Sequence, residues 1–75
     1  MNLKEFIRQR REQQGMTQRD MAAVFEVTET TLRNWESGHS RPRIDLGDVR
    51  VFAVVLGCTV GELLDIAEES DRTIT

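Results

Sequence analysis

Five times along this chain, a side chain suited to cap a helix N-terminus is followed three residues later by an acidic or polar one. The pairs are Asn2/Glu5, Thr17/Asp20, Thr28/Thr31, Asp45/Asp48 and Thr59/Glu62. The first member can accept from the orphan N–H groups of a helix start, and an acidic third residue can reach back to the cap's own N–H. Thr31 is the least usual partner of the five. Five starts in 75 residues predict five short helices, over roughly 3–13, 18–25, 29–37, 46–56 and 60–67. Gly15, Gly38 and Gly57 each fall just past one of these ends, where a left-handed residue closes a helix at little cost. Pro42, within HSRPR, marks the one extended connection. Strand signals are absent.

Apolar spacing follows the same frame. Leu3, Phe6 and Ile7 line one face of the first helix; Met21, Ala22, Val24 and Phe25 the second; Leu32 and Trp35 the third. Val49, Phe52, Ala53 and Leu56 follow in the fourth, then Val60, Leu63 and Leu64 in the fifth. A chain this short buries only roughly 60–65% of its unfolded surface, so one economical core is expected. Cys58 is the single cysteine, which excludes an internal disulfide. Its position after Gly57 reads as a small buried hydrophobe rather than a redox sensor. No Cys/His cluster implies a metal, and no cofactor is expected. No apolar run approaches the ~20 residues that span a bilayer, and the N-terminus carries no signal-peptide pattern. The expectation is a cytoplasmic protein.

The formal net charge is -3, which opposes generic affinity for nucleic acid, but it is unevenly spread. Residues 1–43 hold eight Lys/Arg against six acids, and residues 44–75 hold two against seven. The basic half also contains the sharpest local feature. Only Glu26-Val27-Thr28 separates the second helix from the third, and a three-residue connection forces one helix steeply across the other. Ala22 sits where the two would cross closely, and Val27 and Leu32 would lock the corner.

Gly15-Met16-Thr17-Gln18, Ala22, Val27-Thr28, Leu32, Trp35-Glu36-Ser37-Gly38 and Pro42 resemble the Xre family, the Cro/CI-type phage repressors and their relatives. The stretch 49–57, then Thr59 and Glu62-Leu63-Leu64, is similar to that family's fourth and fifth helices. The resemblance covers about residues 3–66. It implies an all-α, compact, five-helix lambda-repressor-like domain with a helix-turn-helix over residues 1–67. Residues 68–75 are expected to form a short, acidic, flexible tail. Glu26 departs from the pattern, standing where many relatives carry glycine; a left-handed glutamate there would cost roughly 1 kcal/mol.

The resemblance also assigns roles. With Leu32 and Trp35 inward, Glu29, Thr30, Arg33 and Asn34 face outward on the third helix, and Thr28 and Thr31 lie close by. These six are the candidate base contacts: Asn can bond adenine in bidentate fashion, Thr can meet a thymine methyl, Arg can read guanine, and Glu can accept from cytosine. The candidate phosphate contacts are Thr17, Gln18, Arg19, Ser37, His39, Arg41 and Arg43. Gln18 is favoured among them because it opens a helix whose N–H groups and positive dipole end attract an anion. His39 reads as a loop residue or phosphate donor, since no nucleophile or carboxylate is patterned around it. Arg11 and Glu36 are expected to form a structural ion pair and are excluded from base reading.

Val51, Val54 and Val55 occupy positions where relatives usually show polar residues at Val51 and Val54. A second apolar face points to a dimer interface; extra core around the tail would explain the same residues. The leading expectation is a sequence-specific DNA-binding transcriptional regulator, a repressor that binds double-stranded palindromic DNA as a homodimer. The alternative is a protein-interaction or antitoxin-like adaptor that keeps the fold without strong DNA binding. An enzyme is not expected, because no paired carboxylates, activated nucleophile or phosphate-binding glycine loop can be assembled.

Overall fold

The computed structural model describes residues 2–42 and 47–74, with side chains described through residue 69. Five helices follow one another: α1 Leu3–Gln13, α2 Gln18–Phe25, α3 Glu29–Ser37, α4 Val49–Leu56 and α5 Val60–Ile74. The described residues contain no strand.

The caps explain most of the boundaries. Asn2 Oδ1 accepts from the Glu5 N–H at 3.0 Å. Thr17 and Asp20 bond reciprocally, each through a backbone N–H at 3.0 Å. The Thr17 backbone N–H, and after it the Thr17 hydroxyl, hydrogen-bond the Asp20 carboxylate and lower its pKa. Thr28 Oγ1 accepts from the Thr31 N–H at 3.1 Å and also meets the Thr31 hydroxyl at 2.8 Å. Thr59 accepts from the Glu62 N–H at 3.0 Å, and the Glu62 carboxylate reaches back.

Two boundaries correct the sequence reading. The fourth helix begins at Val49 rather than near 46: Gly47 and Asp48 lie in a turn, and glycine is a poor first-turn residue. Asp45 and Leu46, which the expected cap would have used, lie outside the described residues. The fifth helix does not stop at residue 67 but continues to Ile74. No glycine or proline follows Gly61, so nothing in the covalent chain ends it, and an acidic composition alone is not a stop signal.

The core is assembled from all five helices. Ile7, Met21, Leu32, Leu56 and Leu63 are fully enclosed, and Phe25, Trp35 and Phe52 stack around one another with centroids 4.6–5.8 Å apart. Each such burial stabilises by about 1.5–3 kcal/mol. Three residues expected inside are exposed instead: Val24, Val60 and Leu64. Val24 and Leu64 each lie roughly 110° around their helix from the buried stripe set by Met21, Ala22 and Phe25, or by Leu63, Ile66 and Ala67.

The corner between α2 and α3 is closed by the Val27 N–H donating to the Ala22 carbonyl at 2.9 Å and the Glu26 N–H to the Ala23 carbonyl at 3.2 Å. This is a Schellman closure. It requires a left-handed residue, and Glu26 takes that role with φ 60° and ψ 40°. Ala22 is buried at the crossing.

Candidate nucleic-acid interface

The outward face of α3 is fixed from behind. Glu36 projects inward with its side chain only 4% exposed. Its carboxylate accepts from Arg11 Nε at 2.8 Å, Arg11 Nη2 at 3.0 Å and Gln18 Nε2 at 3.3 Å. Arg11 Nη1 also donates to the Met16 carbonyl at 3.0 Å. The Glu36 hydrogen bond raises the Arg11 pKa, against the opposing effect of burial. One carboxylate thus ties α1, the α1–α2 connection, the start of α2 and the end of α3 together. Such a network sets orientation more than it adds net stability.

With Leu32 and Glu36 buried, Glu29, Thr30 and Arg33 are exposed and Asn34 is partly exposed. Glu29 Oε1 lies 3.5 Å from Arg33 Nη2, an i,i+4 pair at the surface. This α3 face therefore carries no net charge of its own. Thr28 and Thr31 have their hydroxyls on each other, so either can turn outward only by breaking that contact.

At the start of α2, Gln18 keeps one Nε2 hydrogen beyond the one given to Glu36, and it lies beside exposed Thr17 and Arg19. Beyond α3, Ser37 donates its single hydroxyl hydrogen to the Asn34 carbonyl at 3.1 Å and accepts from the His39 N–H at 3.3 Å. The Ser37 hydroxyl closes the helix end; a phosphate could take that hydrogen only by displacing Asn34. His39 and Arg41 are exposed, whereas Pro42 is buried and Arg43 lies outside the described residues.

A cation that the sequence reading passed over also stands here. The Lys4 side chain lies across Gly38, near enough that a Cβ at residue 38 would meet Lys4 Cδ at 3.1 Å. Gly38 is left-handed with φ 83°, a backbone conformation that favours glycine, whereas the exposed Lys4 side chain would need to give only slightly to admit a Cβ. No spacing rule brings residue 4 to residue 38; only the crossing of α1 over α3 does.

A family described as Helix-turn-helix matches residues 7–63. The chain belongs to the helix-turn-helix family. It is of the Xre, Cro and CI type, and this family is one of DNA-binding transcription regulators. Comparison with curated proteins and with solved structures returned no match. In this helix-turn-helix protein α2 and α3 are the paired helices, and α1, α4 and α5 form the platform behind them. Among the described residues no group of His, Cys, Asp and Glu is placed to hold a metal, and no helix is long and apolar enough to cross a membrane.

Away from this face, α4 carries exposed apolar side chains. Val51 and Val54 are exposed on α4, Val54 at 79%. Val55 differs: it is partly buried against the core, and its carbonyl accepts from Gln14 Nε2 at 2.8 Å. Cys58 is partly buried, and desolvation followed by the nearby Glu62 charge raises its pKa, which keeps the thiol protonated at neutral pH.

Proposed function

We propose that the protein is a sequence-specific transcriptional repressor that binds a palindromic operator as a homodimer, with α3 in the major groove. The observation that carries this reading is the Glu36 network. It holds α3 against α1 and α2 so that Glu29, Thr30, Arg33 and Asn34 share one outward face. In this reading Asn34 bonds an adenine edge, Thr30 meets a thymine methyl, and Glu29 accepts from a cytosine amino group. Each good base contact is worth about 1–3 kcal/mol of discrimination. Gln18 gives its second Nε2 hydrogen to a phosphate at the N-terminus of α2, beside Thr17 and Arg19, while Arg41, Arg43, His39 and Lys4 supply further backbone contacts.

The dimer surface is Val51 and Val54 of α4, with Val55 at its inner edge. The molecule measures 30 × 24 × 22 Å, so two adjacent copies can set their α3 helices about 34 Å apart, one turn of the duplex. Because the chain is acidic overall and α3 is charge-balanced, non-specific affinity should be low and salt-sensitive.

Selection from a random duplex pool, followed by titration of the selected site at several salt concentrations, tests the reading. A palindromic consensus whose binding weakens as salt rises is expected, and no duplex binding at low salt would end it. The exposure of Val54 favours a second reading, a protein-interaction adaptor of the same fold. That reading predicts amide shift changes at Val51 and Val54 with a protein partner, and none at Thr28–Asn34 with duplex DNA.

A further inference from the structure

Lys4 belongs to α1, outside the paired helices, yet its side chain lies across Gly38, the residue that closes α3. A Cβ at residue 38 would stand 3.1 Å from Lys4 Cδ and 3.3 Å from Nζ, so the aliphatic stem and the ammonium both lie at that helix end. Ser37 and His39, two of the candidate phosphate contacts, flank the same glycine. Lys4 is exposed and has no hydrogen bond or ion pair among the described residues. Neither Lys4 nor Gly38 belongs to the α4 surface proposed for pairing.

By itself the end of α3 is a poor place for a phosphate. A helix C-terminus carries the equivalent of about half a negative charge, and the polar groups here are already engaged. The Asn34 carbonyl accepts from the Ser37 hydroxyl at 3.1 Å and from the Ser40 N–H at 3.3 Å, while Ser37 Oγ accepts from the His39 N–H. Arg33, earlier on the same helix, pairs with Glu29. The full positive charge of Lys4 outweighs the partial negative charge of the helix end. With Lys4 across it, this end attracts an anion instead of repelling one.

We propose that Lys4 is the phosphate clamp at the end of α3, a contact that the first helix supplies to the surface formed by the second and third. This role rests on α3 entering a duplex groove as proposed above. Gln18 then holds the DNA backbone at the start of α2, and Lys4 holds it at the end of α3. The recognition helix is thus fixed on the duplex by two side chains that lie outside its own length. Phosphates are alike at every base pair, so Lys4 adds affinity and orientation but no sequence preference.

Salt titration of the selected duplex with the full chain reads the clamp directly. Each neutralised phosphate contributes about 0.9 to the slope of log affinity against log salt. Lys4→Met keeps an aliphatic stem over Gly38 and removes the charge. Its slope should be shallower by about 0.9 for each protomer bound. Affinity at low salt should fall by about tenfold, equally for the operator and for duplexes carrying single base changes. Lys4→Arg should restore the slope. Arg8, an exposed cation one turn further along α1, pairs with Glu12 at 3.7 Å. Arg8→Met makes the same change in net charge and should leave the slope nearly unchanged. An unchanged slope in Lys4→Met would overturn the proposal, and a lowered urea midpoint alongside it would mean that Lys4 only neutralises the helix end. An equal loss of slope in Arg8→Met would also overturn it, because net charge alone would then explain both. A wild type that binds no duplex at low salt would end the repressor reading and the clamp together, whereas a bound palindrome with an unchanged slope ends the clamp alone.

Discussion

At the scale of single residues, Glu29 decides how α3 can face a polyanion. Its pairing with Arg33 at 3.5 Å cancels the one cation on the outward face. Against a phosphate the carboxylate repels, and against cytosine N4 it accepts, so its cost depends on the base. Glu29→Gln should release Arg33, tighten binding to most duplexes by about tenfold and shift the preferred base at one operator position. Pool selection with both proteins measures this, and an unchanged consensus would remove Glu29 from base reading. Glu36, by contrast, is consumed inside the fold. Glu36→Gln leaves the Arg11 guanidinium largely buried beside a neutral amide, so it should cost about 3 kcal/mol in urea unfolding. Replacing both partners with apolar residues should recover much of that loss, because the desolvated charge disappears as well. A loss equal to that of an exposed acid such as Glu68→Gln would show the network to be ornamental.

At the scale of elements, the caps make the helices legible and also make one of them sensitive to acid. Asp20 holds a lowered pKa because it accepts from the Thr17 backbone and hydroxyl. A folded value below the ordinary 3.8 means that the contribution is complete above that value and is lost as pH falls through the lowered one. The gap in urea midpoint between wild type and Asp20→Asn should therefore be constant from neutral pH down towards the ordinary value and narrow as the pH falls below it. A gap that persists at the acid end would mean that the carboxylate is not the stabilising species. Thr17→Ala removes the other half of the box and should cost about 1 kcal/mol at neutral pH, with a smaller cost in acid, where the Asp20 charge that its hydroxyl helps hold is lost. Caps and glycines placed α1, α2 and α3 in the sequence to the residue because those signals are local. The fourth and fifth helices show the limit. Asp48 has the side chain of a capping-box acid but is itself the N-cap residue, and the acidic run after Ala67 carries no covalent stop. A polar composition says that a helix face is solvated, not that the helix ends. The inward stripe misled in the same way: Val24 and Leu64 are apolar and helical, yet they sit too far around their helices to be enclosed.

At the scale of the molecule, what the sequence could not show is what folding brings together from a distance. Lys4 over Gly38, Gln18 against Glu36, and Val24 and Val51 lining one cleft between α2 and α4 are pairs separated by many residues in the chain, and no periodicity predicts them. The residues that the family pattern nominates for recognition, by contrast, were legible in the sequence because they lie within one short stretch. Val54 is where the proposed assembly can be tested cleanly. At 79% exposed it contributes little to the core, so Val54→Glu should leave the urea midpoint nearly unchanged. In a dimer paired through α4 it would instead set two buried carboxylates near each other across a two-fold axis. Sedimentation should then show dimerisation weakened by at least about a hundredfold. Affinity for the full palindrome should fall steeply, while that for an isolated half-site, which needs only one α3, should stay the same. A dimer indifferent to Val54→Glu would move the interface off α4. An equal loss on half-site and palindrome would mean that the substitution disturbs DNA contact itself rather than pairing.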